Sequence, residues 1–332
     1  MRIGINPARD QLLSTSDFIH QVIVPVFIPN QEAYYNESLN VLKTCLESLF
    51  NTCHSKTYFT IVNNGSCKEV AAYLDDLMNN KQIHELIHTT SIGKMNAILK
   101  ALVGNSFDLI TITDADVLYL HGWQNKVYNI FNAFPKAGVV GTTPFSNMLK
   151  YYTASIYIDF LFSNKMRFEN VADKSALDNF AKSVNNPNLF NELQLKKNLI
   201  IEHNGVKAVV GSGHYSATYR GDFFDQLNAT YSSYSLGGRS ELDFLDSPCD
   251  MKGYYRLSTT DNFTYHMGNT MTDAIKMIVN TSKVDYREID FFVCLNKNKK
   301  YFYPYWIKKI LEKILYSTVF WNIFLKSKGL YK

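Results

Sequence analysis

No Cys-x-x-Cys pair occurs in the chain. Its five cysteines, Cys45, Cys53, Cys67, Cys249 and Cys294, are scattered and odd in number, which speaks against a zinc site or a disulfide frame and for reduced thiols in a cytosolic compartment. The first twenty residues include Arg2, Asp10 and Asp17 and hold no continuous apolar run of signal-peptide length. Secretion is therefore not expected, and the Asn-x-Ser/Thr triplets at Asn36, Asn64 and Asn228 carry little weight. Neither an internal repeat nor a low-complexity linker divides the 332 residues, which suit one large α/β domain or two modest ones with a substantial core. Charge is sparse at 19%, and the formal excess of +4 is local: from Lys297 onward nine lysines face one acid, Glu312, giving +8 and leaving −4 for the rest. A basic stripe over the body, as nucleic-acid binding would require, is not evident, and no nucleic-acid partner is expected.

What the chain has in excess is aromatic rings, 22 Tyr and 22 Phe within a hydrophobic content of 46%. Such rings suit stacking, pocket lining or a membrane interface. Gln21 to Ile28 is a continuous β-branched run of the kind that fills a strand buried on both faces. A loop from Pro29 to Tyr35 and a helical pattern through Leu39, Leu42, Leu46 and Leu49 follow it. The unit then repeats. Tyr58 to Val62 reads as a strand, Asn63-Asn-Gly-Ser66 as a turn, and Val70, Leu74 and Leu77 as a helix face. A third strand is expected near His84 to Thr89, a helix over Ile92 to Val103 behind Gly93, a fourth strand from Phe107, a helix over Trp123 to Phe134 and a strand over Ala137 to Thr142. Strands alternating with helices predict a mostly parallel sheet with right-handed crossovers, whose ligands bind beyond the carboxyl ends of the strands. Residues 146–205, with Asn185-Asn-Pro-Asn188, read as a less regular insertion shaping an acceptor pocket, before a strand over Val206 to Val210.

The fourth strand ends in Asp114-Ala-Asp116. Side chains two apart on a strand share a face, so both carboxylates could grip one hard divalent cation at the strand's end, and without a positive charge between them the pair is costly. A polar turn closing the strand is the other reading of an isolated Asp-x-Asp. The loop after Ile28, the turn at Asn63 and this acidic pair all fall at the same sheet edge, which favours the site.

In order and spacing these pieces resemble the inverting glycosyltransferases of family 2, of the bacterial polysaccharide type, over roughly residues 20–270. The resemblance rests on Val22-Ile-Val-Pro-Val-Phe27 leading to Asn30 and Glu32, on Asn63-Asn-Gly-Ser66, on Gly93-Lys-Met-Asn-Ala97, on Asp114 and Asp116, and on Ser240-Glu-Leu-Asp-Phe244 ahead of Gly253-Tyr254. It implies a GT-A fold, that is, an α/β Rossmann-like, mostly parallel central sheet flanked by helices. A nucleotide-binding half would span about 20–145 and an acceptor-side half about 146–270 of a domain over 1–270. A helical, basic and aromatic extension would occupy 271–332.

The resemblance also implies roles. A UDP- or GDP-sugar donor would sit with Pro25, Phe27 and Asn63 around its base, Lys94 near the nucleotide and Asp114 on the ribose or the metal. Asp116 would be the main ligand of Mn2+ or Mg2+, with His266 completing the site. An amide at Asn63, where the family has an acid, can still bond a base edge but leaves uracil less secure as the base. The general base would be Glu241 ahead of Asp243, a serine standing at 240 where the family has an acid. Acids in a helix's solvated first turn, and a structural histidine, are the plainer readings of these residues. His214, Tyr215 and Arg220 could meet donor sugar or acceptor, or simply pack.

Ile307, Ile310, Leu311, Ile314 and Leu315 fall at helical spacing, with Lys308, Lys309, Glu312 and Lys313 on the opposite face and aromatics from Tyr301, Phe302, Tyr303, Tyr305 and Trp306 to Phe320, Trp321 and Phe324 around them. This predicts an amphipathic helix, too short and polar to span a bilayer, lying on an anionic inner leaflet or packed on the domain or a second subunit. The expectation is a metal-dependent inverting hexosyltransferase, cytoplasmic and peripheral on the inner face of the cell membrane. It would pass a sugar to a glycan or lipid-linked acceptor in cell-surface polysaccharide synthesis. A non-catalytic glycan- or membrane-binding module is the alternative. Nucleotidyl transfer ranks below both, because no Gly-rich basic phosphate loop follows the first strand.

Overall fold

A computed structural model describes residues 4–12, 17–225, 230–281 and 303–330. The β-branched run forms β1 (His20–Val26), in which Val22, Ile23, Val24 and Val26 are fully buried because helices cover both faces of the sheet. It leads through α1 (Ser38–Thr52) to β2 (Thr57–Asn64), through α2 (Lys68–Asn79) to β3 (Glu85–Thr89), and through α3 (Lys94–Leu102) to β4 (Leu109–Thr113). β5 (Val117–Tyr119), α4 (Trp123–Ala133), β6 (Ala137–Gly141), α5 (Ala154–Phe160), β7 (Met166–Asn170) and α6 (Lys174–Ser183) follow. The chain continues through β8 (Lys197–His203), β9 (Val206–Val210), β10 (Ser216–Arg220), a π-helix over Leu242–Asp246, α7 (Ser247–Met251), β11 (Tyr255–Ser258), β12 (Thr264–His266), α8 (Asp273–Thr281), α9 (Tyr305–Leu315) and α10 (Thr318–Ser327).

Ten strands form one sheet in the order β3-β2-β1-β4-β10-β6-β11-β9-β8-β7. β3, β2, β1 and β4 are mutually parallel, with Val26 opposite Asn63 and Ile23 opposite Ile112. Only β10, β9 and β7 run against the others, so the sheet is mainly parallel and flanked by helices, as expected. Beneath it the polar ends of β1 are satisfied internally. His20 meets the hydroxyls of Tyr128 at 2.6 Å and Thr111 at 2.7 Å, and burial first, His54 second, hold its imidazole well below its ordinary pKa.

Two departures matter for the site. β10 lies antiparallel between β4 and β6, pairing Ser216 with Thr113. An antiparallel strand begins where its neighbour ends, so residues 214 and 215 arrive at the edge that carries Asp114. Residues 146–205 are not an irregular insertion: they supply α5, β7, α6 and β8, and β7 and β8 extend the sheet through β9. The two-residue loop Asn204-Gly205, both at positive φ (47° and 75°), closes the β8–β9 hairpin with His203 opposite Val206, a turn whose twist matches that of the strands it joins.

The extension packs on α5 and β7, with Tyr157 edge-on to Tyr316, Trp321 and Phe324, and with the Phe168 N–H donating to the Lys328 carbonyl at 2.8 Å. Its amphipathic pattern differs from the expected one. Lys308, expected on the solvated face, is buried and paired with Asp250, whereas Ile310 and Ile314 point outward. A buried carboxylate at 250 selects the lysine, since an uncompensated charge there would be costly. Among the described residues no helix is long and apolar enough to cross a membrane. Cys294, Asn228, Tyr301, Phe302 and the lysines at 297, 299, 300 and 332 lie outside the described residues.

Candidate active site

The turn that leaves β4 is held from two sides. The Asp114 N–H donates to the Tyr215 carbonyl at 2.8 Å, and the Asp116 carbonyl accepts the Met267 N–H at 2.8 Å. β5 and β12 form a separate two-stranded sheet in which His266 pairs with Val117, so the histidine arrives beside the acidic turn from 150 residues away in the chain. His266 Nε2 lies 3.3 Å from Asp116 Oδ2, and its Nδ1 is 3.0 Å from Ser183 Oγ. Asp114, Asp116 and His266 each offer an atom within 4.8 Å of the others. Asp116 Oδ1 is buried and has no hydrogen-bond partner. Burial, with His266 opposing it and Asp114 adding to it, pushes the Asp116 carboxyl up to about 6.

These residues fit a divalent cation. Two carboxylates and an imidazole are a donor set for Mn2+ or Mg2+, and Ser183 sits where an outer-shell group would fix the ring. The orphaned oxygen and the penalised charge are both what a dication would relieve.

A second acidic segment is brought to the same place by α3. Gly93 adopts φ +92°, and a Cβ there would stand 2.8 Å from the Tyr234 carbonyl oxygen, so the 232–238 loop lies directly on the start of the helix. The Lys94 N–H donates to the Ser235 carbonyl at 2.9 Å, and the Asn96 amide bonds both the N–H and the carbonyl of Ser232 at 2.8 Å. Ser232 Oγ meets Ser240 Oγ at 2.7 Å, which anchors the residue before Glu241. Lys94 then spans the site, its Nζ 2.5 Å from Asp114 Oδ1 and 3.9 Å from Glu241 Oε1. Burial acts to strip its proton, but Asp114, Glu241 and Asp116 outweigh burial and hold the ammonium above its ordinary pKa. Asp243 is not brought in. It points away, about half-exposed, and pairs with Arg239 at 3.0 Å.

A cavity of about 460 Å³ opens beside this cluster, lined by Pro25, Phe27, Tyr35, Asn64, Lys94 and Asp116. Asn63 does not line it. Its Oδ1 accepts the Ser66 N–H at 2.9 Å and its Nδ2 meets His88 Nδ1 at 2.9 Å, so the amide is consumed in holding the turn, and Asn64 is the residue that faces the cavity. Arg220 also falls away from the site: it is buried at the far end of β10, bonded to Asp222 and to the Pro135 carbonyl.

The sequence reading missed the buried support behind Glu241. Asp246, at the last position of the π-helix, receives the fully buried Arg256 on one side and His214 Nε2 at 2.7 Å on the other. Arg256 also donates to the Ser212 carbonyl at 2.7 Å. His214 adjoins Tyr215, whose carbonyl holds Asp114, so this buried polar chain backs the edge that carries the acidic pair. The Gly-Ser-Gly-His-Tyr stretch was the available signal, but its partner Asp246 becomes reachable only through the wide turn of a π-helix, which no spacing rule announces.

With this geometry in place, residues 33–181, a little under half of the chain, match the model of glycosyl transferase family 2. The matched segment runs from the loop after β1 into α6, and the match supports a role in glycosyl transfer. No curated protein matches the chain. Among solved structures it is similar to the mannosyltransferase PcManGT from Pyrobaculum calidifontis in complex with GDP-Man and Mn2+ (15% identity, TM-score 0.40, 73% of this chain and 54% of that one). It is also similar to S. aureus TarS 1-349 (13%, 0.43, 82% and 67%) and to the same TarS fragment in complex with UDP-GlcNAc (13%, 0.41, 82% and 68%). The chain spans about half the length of the mannosyltransferase.

Proposed function

We propose that the protein is an inverting, metal-dependent glycosyltransferase of hexosyl type. It moves a sugar from a UDP- or GDP-sugar to a glycan or lipid-linked acceptor in cell-surface polysaccharide synthesis, as a peripheral protein on the cytoplasmic side of the cell membrane. The observation that carries this reading is the convergence of Asp114, Asp116 and His266, with the orphaned Asp116 oxygen, beside a cavity that Asp114, Asp116 and Lys94 line, with Glu241 3.9 Å from Lys94.

Pro25, Phe27 and Asn64 line the part of the cavity suited to a nucleoside. Phe27 is 42% exposed and stands edge-on to Tyr35, leaving a ring face for a base. Asp114, Asp116 and His266 would hold Mn2+ or Mg2+, which supplies positive charge to a departing diphosphate. Lys94, released from Asp114 once that carboxylate is engaged elsewhere, turns its ammonium to the phosphates. Glu241 removes the acceptor hydroxyl proton as that oxygen bonds the anomeric carbon. The bond from that carbon to the phosphate oxygen breaks with its electron pair leaving on the diphosphate.

Calorimetric titration of UDP and GDP, each with and without Mn2+, tests the donor half and chooses the base. One nucleotide should bind at least about tenfold more tightly with the metal, the energy of one charge-assisted contact. Equal affinity with and without Mn2+ for both nucleotides would sink the metal-dependent reading. Glycan binding that ignores metal, with no donor consumed, would favour a non-catalytic module.

A further inference from the structure

The extension shows a surface that the transfer reading does not use. α9 and α10 are pinned from within. On α9, Lys308 is buried and donates to both the carbonyl and the side chain of Asp250. On α10, Phe324 is buried against Tyr157, Lys150 sits 4.2 Å above the Trp321 ring, and Lys328 donates to the Ser163 carbonyl at 2.7 Å. The opposite side is apolar and bare. Trp306, Ile310 and Ile314 recur every fourth residue, so they form one stripe along α9, exposed by 63%, 51% and 50%. Val319, Phe320 and Ile323 on α10 are exposed by 68%, 54% and 58%. Lysines 309, 313 and 326 are exposed on the same two helices, whose single acid, Glu312, is largely covered and bonded to Lys309 at 2.7 Å.

We propose that this outer face of α9 and α10 is a membrane-docking surface that lies flat on an anionic bilayer. Trp306, Ile310, Ile314, Val319, Phe320 and Ile323 would enter the acyl boundary, with lysines 309, 313 and 326 at the phosphate level. This gives residues to the membrane placement proposed above, but it does not depend on the transfer chemistry.

Large apolar side chains at half exposure or more, interleaved with cations and headed by a tryptophan, match the two media of a bilayer interface. The helices have 11 and 10 residues, enough to lie in an interface and too few to span it. A second copy of the chain fits less well, because a two-fold contact would set the same lysine-bearing face against itself. The surface is also coupled to the site. Asp250, which pins α9 through Lys308, lies on α7, directly after the π-helix that follows Glu241. A bilayer-bound α9 would therefore hold the Glu241 segment close to the plane in which a lipid-linked acceptor is presented.

The test uses the full chain with vesicles of phosphatidylglycerol and phosphatidylcholine, against vesicles of phosphatidylcholine alone. The wild type should sediment with the anionic vesicles and be released by salt. Ile310→Ser with Ile314→Ser, and separately Lys309→Glu with Lys313→Glu, should each weaken partitioning roughly tenfold or more. Both variants should keep the wild-type melting temperature and vesicle-free donor hydrolysis. Binding to neutral vesicles equal to that on anionic ones, no binding to either, or variants that sediment like the wild type would overturn the proposal. So would a wild-type dimer in solution that the same variants break apart. Loss of donor hydrolysis in the wild type would count against the transfer reading and leave the surface standing.

Discussion

Asp116→Ala should abolish most sugar transfer, with a fall on the order of 10³-fold in turnover, because the several kcal/mol that a bound dication contributes to a departing diphosphate would be lost with its ligand. The fold should tolerate the change. Asp116 sits where burial opposes its ionised form, raising its carboxyl from 3.8 to about 6, and one of its oxygens has no partner. An acid whose pKa is higher in the folded than in the unfolded chain binds more protons when folded between those values. In metal-free protein, stability should therefore fall as pH rises from about 4 to about 6. Asp116→Ala should flatten that slope, and its melting temperature at pH 7 without metal should be no lower than that of the wild type. Mn2+ should raise the wild-type melting temperature at pH 7 and leave the variant's nearly unchanged, by the mass-action stabilisation of a ligand that binds only the folded state. Transfer by Asp116→Ala within about threefold of the wild type would remove the metal from the mechanism.

The parts of this site that were legible in the sequence are those written locally. The runs that become β1, β2 and β4 are dense in β-branched residues and end in polar turns, and parallel crossovers bring such turns to one edge whatever the details of packing. Asp114 and Asp116 follow from that alone, whereas Lys94 was placed by the Gly93-Lys-Met-Asn-Ala97 resemblance. His266 was readable only through its place after Gly253-Tyr254, since what puts it beside Asp116 is the pairing of two three-residue strands. Nonlocal choices stayed hidden. Nothing near Ser216 says that β10 will run backwards between β4 and β6, and Asn63 and Asn64 are adjacent amides of which only the fold decides that one locks the turn and the other faces the cavity. Lys308 looked solvated because its partner Asp250 is 58 residues away. The Asn204-Gly205 turn was a readable hairpin signal between two apolar stretches, and it pairs residues 197–203 with the expected strand at 206–210 instead of leaving them in a loose insertion.

Glu241→Gln should lower the turnover number for transfer by roughly 10²- to 10⁴-fold, the usual worth of a positioned general base, while the affinity for the nucleotide donor stays within about twofold. Glutamine keeps the shape and the hydrogen-bonding reach of the side chain but cannot hold the acceptor's proton. The backbone that delivers it is secured independently by the Asn96–Ser232 and Ser232–Ser240 bonds. Lys94 keeps its closer partner, Asp114, at 2.5 Å when the more distant Glu241 is neutralised, so the ammonium should remain in place. The control lies two residues on. Asp243 is solvent-facing and bonded to Arg239 four residues back, an exposed pair that solvent screens, and Asp243→Asn should leave turnover within about twofold. Comparing the two variants separates a proton-accepting role from a general need for negative charge in this segment. If Asp243→Asn takes the larger loss, the base has been assigned to the wrong acid. If neither variant slows transfer, proton removal lies elsewhere, and His214, held by the buried Asp246 and adjoining the residue that fixes Asp114, becomes the group to replace next.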